Sequence, residues 1–360
     1  MTPTYPGILD AIEPADPNTY AQALARHDTL TKPPGSLGEL EPLGAQLAAI
    51  YRTPTPTITV KAIAVFAADH HIAHEHVSAY PQAVTAQMVH NFLQGGAAIN
   101  ALAHVAHADL LIVDVGVDAE LPDHPKLLKR KVRAGACNFL HQRALTHAEA
   151  TAAINVGIEA AQRQIDAGAN LLAAGDMGIA NTSPTAAITA AITGIDVDAV
   201  TGRGTGITEP QRRHKADVIA RALDRHQPDP NAPLDLLTAF GGLDIAAITG
   251  YYLAAAAHHV PAVLDGPITT VAALLATQLD PGTRHYLIAS HLSEEPAHQA
   301  QLDRLGLEPL LDLHLRLGEA SGAALALPLI EAAARILTDM NTLQGAGVES
   351  PLPRDGMPPR

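Results

Sequence analysis

Tryptophan is absent from this chain, and aromatic residues make up only 3% of it. An interior without aromatic bulk must be filled by small and branched aliphatic side chains, and 47% hydrophobic residues in a chain of 360 supply enough for a sizeable core. Such cores suit helices packed closely on a sheet. The single cysteine, Cys137, excludes an intramolecular disulfide and a zinc site built on thiolates, and it fits a reducing compartment. Positive charge is also scarce. With 23 Lys+Arg against 37 Asp+Glu the formal net charge is −14, and no basic run carries interleaved aromatics, so nucleic acid is not an expected partner. No run is continuously apolar over the ~18 residues that a membrane helix needs, and MTPTYPGILDAIEPAD lacks a basic region followed by an apolar one. The expectation is a cytoplasmic protein with no membrane partner.

What is present is an alternation. Apolar runs at Ala62–Ala67, Leu110–Val117, Leu171–Ala174, Val197–Val200, Ala262–Leu264 and Tyr286–Ala289 read as buried strands. Between them, Val84–Ala103, Ala148–Ala167, Asp244–His258 and Thr270–Leu279 have helical spacing. This predicts an α/β fold, a Rossmann-like parallel sheet of about six strands covered by helices. Residues up to about Arg52 and from about Leu310 onward read as helix without strands. The expected organisation is therefore a small helical domain built from 1–54 and 310–346, a large α/β domain at 55–309, and a flexible Pro-rich tail at 347–360.

Four segments carry candidate chemistry. In LLAAGDMGIANTSPTAAITAAI, an apolar run ends at Gly175, Asp176 sits in the turn, and Ser183 (N-cap) with Pro184 (first helical position) opens a helix. Ligands bind at such strand ends in parallel sheets, although a plain βα turn reads the same way. A second loop, TGRGTGITEPQRRHK, brings Gly202, Gly204 and Gly206 ahead of a capping box formed by Thr208 and Gln211, with Lys215 beyond. It suits a phosphate, but it matches neither GxGxxG nor a Walker loop and could equally be a turn. The third segment, DHHIAHEHVSAYPQAVTAQM, starts with Asp69, His70 and His71, which resemble the DHH triplet of metal-dependent phosphoesterases without that family's other motifs. Its Ser78, Tyr80 and Gln87 are better read as polar groups facing a flat heterocycle. In the fourth segment, Glu319 lies among Gly318, Ala320, Ser321 and Gly322, either open to a ligand or complementing a helix dipole.

Taken together, these segments resemble the nicotinate-nucleotide:dimethylbenzimidazole phosphoribosyltransferases of cobalamin lower-ligand assembly. The matching stretches run in order from TKPPGSLGELE (31–41) through GGAAIN (95–100), VDVGVDAE (113–120), GDMGIANTSP (175–184), GRGTGI (202–207), FGGLDIAAITG (240–250), VLDGPITTVAALLA (263–276) and SHLSEEPAH (290–298) to RLGEASGAALALP (316–328). The resemblance implies transfer of phosphoribose from nicotinate mononucleotide to 5,6-dimethylbenzimidazole or a related base by a homodimer, with no metal or other cofactor. It implies that Glu319 is the catalytic base and Asp176 a second acidic residue. Ser78, Tyr80, Gln87 and Leu317 would line the base pocket. Gly175, Gly178, Asn181, Thr182, Gly202, Gly204, Gly206, Lys215 and Ser293 would hold the nucleotide. Relatives commonly carry Glu at Asp176, Gly at His71 and Gly at Ala320. The competing readings are a DHH-type phosphoesterase and a non-catalytic nucleotide or azole sensor.

Overall fold

The computed structural model describes residues 4–349, so the tail expected at 347–360 lies, from residue 350 on, outside the described residues. Six strands, β1 (Lys61–Ala68), β2 (Ala108–Gly116), β3 (Leu127–Lys129), β4 (Leu171–Met177), β5 (Ala262–Leu264) and β6 (Leu287–Ala289), form one sheet in the order β3-β2-β1-β4-β5-β6. Every pairing is parallel. β1 and β4 are buried along their whole length, which is why both read as unbroken apolar runs rather than as alternating patterns. The chain reverses its winding direction between β1 and β4. In open parallel sheets a crevice forms outside the carboxyl ends at such a switch point, and here those ends carry Asp69 and Asp176.

Two long helices cover one stretch of the sheet at unusually short range. A Cβ on Gly157, in the His147–Asp166 helix, would lie 1.7 Å from the Ala247 carbonyl oxygen, and one on Gly250 would lie 1.9 Å from that of Ile154. Backbone therefore packs on backbone, and the Leu243–Ala257 helix is held with Asp244 in its first turn.

Several sequence expectations are corrected. Val197–Val200 is a short helix, not a strand, because the Asp196 side chain caps it by accepting from the Asp198 N–H (2.8 Å). The sixth strand is instead β3, whose three residues are too few to show a period. The Val84–Ala103 helix is two helices, Val84–Gln94 and Ala98–Ala106, because Gly95 ends the first in a left-handed conformation (φ 80°). The 171–192 helix begins at Thr182 with Asn181 at the N-cap, so Ser183 and Pro184 lie inside it. Residues beyond Leu310 are not all helical. β7 (His291–Ser293) and β8 (Leu311–Leu315) form a separate two-stranded parallel sheet.

The chain divides into two compact units, one made of residues up to Pro14 with Thr59–Leu327, the other of Ala15–Ile58 with residues from Pro328. Glu319 thus falls in the larger unit, whereas the expected boundary near 310 assigns it to the smaller. The reason is that the Ser321–Asp339 helix runs through the division, and the strand and turn ahead of it belong to the sheet-bearing unit. The smaller unit packs Ala23, Ala45, Ala48 and Leu337 into its own core, beside the partly buried Tyr20. By length and composition Ser321–Asp339 is the one helix among the described residues that could span a membrane, and over half of its most apolar window is buried inside the protein.

Candidate active site

The carboxyl end of β4 and the turn after β8 bring Asp176 and Glu319 to one cavity, while Asp265, just after β5, is completely buried and outside its lining. Asp176, the sixth residue of β4, is buried; its Oδ2 accepts from Asn181 Nδ2 (2.8 Å). Asn181 is therefore committed to Asp176 and makes no side-chain cap on the helix it precedes. Burial, reinforced by the charge of Asp265, pushes Asp176 up to about 8. Glu319 follows β8 in an unusual backbone state, with Gly318, Glu319 and Ala320 at φ of 83°, 61° and 65°. It too is buried, and its Oε2 has no hydrogen-bond partner. Burial and then the Asp265 charge raise it to about 7, against a hydrogen bond from the Ile99 backbone that favours the ion. A carboxylate tuned near neutrality is suited to general-base work.

A cationic and amide-rich wall faces these acids. Thr208 and Gln211 form the expected capping box, with the Gln211 side chain accepting from the Thr208 N–H (2.9 Å), and the Glu209–His226 helix carries Lys215 fully buried. Lys215 Nζ donates to Thr182 Oγ1 at 2.7 Å, and burial lowers it to about 8, opposed by Glu295. The Gly204 N–H donates to Glu295 Oε1 (2.8 Å), and a Cβ on Gly202 would meet Glu295 Oε2 at 2.2 Å. Ser293 Oγ accepts from the Glu295 N–H (3.3 Å), while the Ser293 N–H donates to Nδ1 of His298, an imidazole that burial holds neutral at about 3.

One cavity is lined by Ser78, Asp176, Gly178, Asn181, Thr182 and Gly204 together with Ser293, Leu317 and Glu319. Gly175 lies beneath Ala320, and Lys215 sits behind Thr182. Gly202 and Gly206 line a neighbouring depression with Arg203 and Arg212, on the other side of the same loop. The Ser78 segment is tied to that loop, since Thr205 Oγ1 lies 3.2 Å from Ser78 Oγ and accepts from the Ala79 N–H (3.1 Å). Two of the four base-pocket candidates, Tyr80 and Gln87, do not line the cavity. Tyr80 is 54% exposed, and Gln87 lies between the inward-facing Thr85 and Val89 on the Val84–Gln94 helix, so it points outward.

The DHH segment does not converge. His70 faces Asp244 (3.1 Å), His71 faces Asp118 (3.4 Å), Asp69 Oδ2 accepts from the Asp118 N–H (2.7 Å), and Glu75 accepts from Asn138 (2.6 Å). Sequence reasoning missed Asp265 and Glu295. Asp265 was detectable, because it follows an apolar run just as Asp176 does. Glu295 lies in a polar stretch with no periodic signal.

A phosphoribosyltransferase family model matches residues 12–348. The nicotinate-nucleotide–dimethylbenzimidazole phosphoribosyltransferase of Thermus thermophilus is 53% identical over 333 residues, covering 92% of this chain and 99% of its own. The Chloroflexus aggregans enzyme of the same name is 49% identical over 340 residues, 94% of this chain and 96% of that one. A crystal structure of CobT from Thermus thermophilus superposes with a TM-score of 0.90 at 52% identity, covering 92% of this chain and 99% of that one.

Proposed function

Because the chain belongs to the nicotinate-nucleotide–dimethylbenzimidazole phosphoribosyltransferase family, we propose that the cavity at the carboxyl ends of β4 and β5 is where it transfers phosphoribose. Nicotinate mononucleotide and 5,6-dimethylbenzimidazole are the substrates, and α-ribazole 5′-phosphate and nicotinate the products, a step of cobalamin lower-ligand synthesis. One benzimidazole nitrogen attacks C1′ of the ribose from the face opposite nicotinate. The bond from C1′ to the pyridinium nitrogen breaks, and nicotinate leaves with the electron pair. The proton on the other benzimidazole nitrogen passes to Glu319, and the observation that carries this assignment is that Glu319 lines the cavity while its buried Oε2 has no hydrogen-bond partner. Asp176, shorter than the Glu common in relatives, complements the cationic nucleotide, whose positive charge favours the ionised carboxylate that burial alone opposes, rather than taking the proton. Thr182, Gly204 and Lys215 hold the phosphate, and holding both partners in line supplies much of the rate gain.

The enzyme works as a homodimer in the cytoplasm. Supporting this are Leu313 and Leu317, apolar side chains 50% and 56% exposed beside the site, and the free thiol of Cys137. Analytical ultracentrifugation checks the first point, and a fully active monomer would refute it. The function itself is tested by incubating the protein with nicotinate mononucleotide and a panel of azoles, then identifying the nucleotide by mass spectrometry. Absence of any ribosylated azole would overturn it.

A further inference from the structure

Asp265 stands immediately after β5 and is completely buried. Its Oδ1 accepts from the backbone N–H groups of Gly322 (2.7 Å) and Ala323 (3.0 Å), in the first turn of the Ser321–Asp339 helix. Its own N–H donates to Thr269 Oγ1 (2.8 Å), so the carboxylate is held from its backbone end as well. Oδ2 has no hydrogen-bond partner. The residues just ahead of the capped turn are Glu319 and Ala320, both left-handed although neither is glycine. Each such residue costs on the order of 1 kcal/mol or more and persists only where its surroundings fix it. Asp265 pins the residues that follow this turn, and the backbone of Gly175 presses on Ala320 from the sheet side.

We infer that Asp265 is a positioning residue for Glu319: by capping the helix that begins two residues after Glu319 it holds the left-handed turn that places Glu319 on the cavity, and its charge opposes ionisation of that carboxylate. This rests on Glu319 being the base. The titratable groups around Glu319 come from several elements. Asp176 lies on β4 and Asp265 follows β5, while His70 and Asp244 pair behind Asp176. His291 on β7 has Nδ1 3.8 Å from Asp265 Oδ1 but is kept neutral by burial, at about 4. With His291 neutral, helix amides rather than a cation stabilise ionised Asp265, and burial outweighs them, raising it to about 7.

The test uses the intact enzyme with Asp265→Ala and Asp265→Asn, each checked for folding by thermal melting. Asp265→Ala loses the cap, and kcat should fall about 10²-fold while the KM for nicotinate mononucleotide stays within about twofold. Asn keeps the acceptor and removes the charge. Asp265→Asn should therefore recover most of kcat, with the acid limb of its pH profile moved to lower pH because ionised Glu319 is no longer repelled. In a Glu319→Gln background Asp265→Asn should cost nothing further. Wild-type kcat in Asp265→Ala, or an unmoved acid limb in Asp265→Asn, would overturn the inference. If Asp265→Ala does not fold, the Asn limb and the double variant still decide. Full turnover in Glu319→Gln alone would instead sink the functional reading beneath it.

Discussion

Gly175 and Ala320 touch backbone to backbone: a Cβ placed on Gly175 would lie 2.3 Å from the Ala320 nitrogen and 2.7 Å from its Cβ. The strand that carries Asp176 thus forms the floor beneath the turn that carries Glu319. Gly175→Ala should force that turn away from the sheet, lowering stability by about 1–3 kcal/mol. Turnover should fall further than stability explains, by about 10²-fold, since an ångström of misplacement at a reacting group costs that much. Denaturant melts paired with steady-state rates on the folded variant check both. Wild-type kcat would show that the contact does not position the base.

Lys215 supplies a pH test with a defined sign. Folding depresses its pKa from 10.5 to about 8, so the free enzyme loses this cation as pH rises through that value. The KM for nicotinate mononucleotide should be flat below pH 8 and rise above it, and Lys215→Met should raise KM about 10- to 100-fold and remove that rise. Because a depressed ammonium opposes folding below about 8, the unliganded Met variant should be no less stable than wild type at neutral pH. Calorimetric affinities at several pH values, with melts of both proteins, measure these effects.

His70 and Asp244 form a buried pair behind Asp176. Burial lowers the His70 pKa, but the charge and hydrogen bond of Asp244 more than offset this, leaving it above the ordinary 6.5. A raised histidine pKa stabilises fully below the unfolded value and progressively less as pH rises through the folded one, so this contribution is complete below about pH 6.5 and fades on the alkaline side. His70→Ala strands a buried carboxylate and should cost about 3–5 kcal/mol. Urea titrations at acid and alkaline pH test this. A variant as stable as wild type at acid pH would contradict the pairing.

The frame of the molecule was legible because buried parallel strands leave a simple signature. Leu171–Ala174 and Ala262–Leu264 are uninterrupted apolar runs, and each leads to a carboxylate at the carboxyl end of an interior strand. Local chemistry defeated that signature at Val197–Val200, where one Asp196 hydrogen bond outweighs two β-branched residues. Glu319 was visible as an acid among small residues, and Asp176 as a carboxylate where an apolar run ends. Asp265 was detectable by its position after an apolar run, but its role was not, because that role depends on the amides of Gly322 and Ala323, more than fifty residues along the chain, and a contact that distant leaves no periodic trace.

The most direct test of the account is turnover of Glu319→Gln across pH, followed as nicotinate release with nicotinate mononucleotide and 5,6-dimethylbenzimidazole. Wild type should gain activity through an acid limb near 7, where burial and Asp265 place this carboxylate. The variant should bind the nucleotide normally yet turn over about 10²-fold more slowly or worse, without that limb. A variant with wild-type rates and the same limb would contradict the assignment of Glu319 as the base.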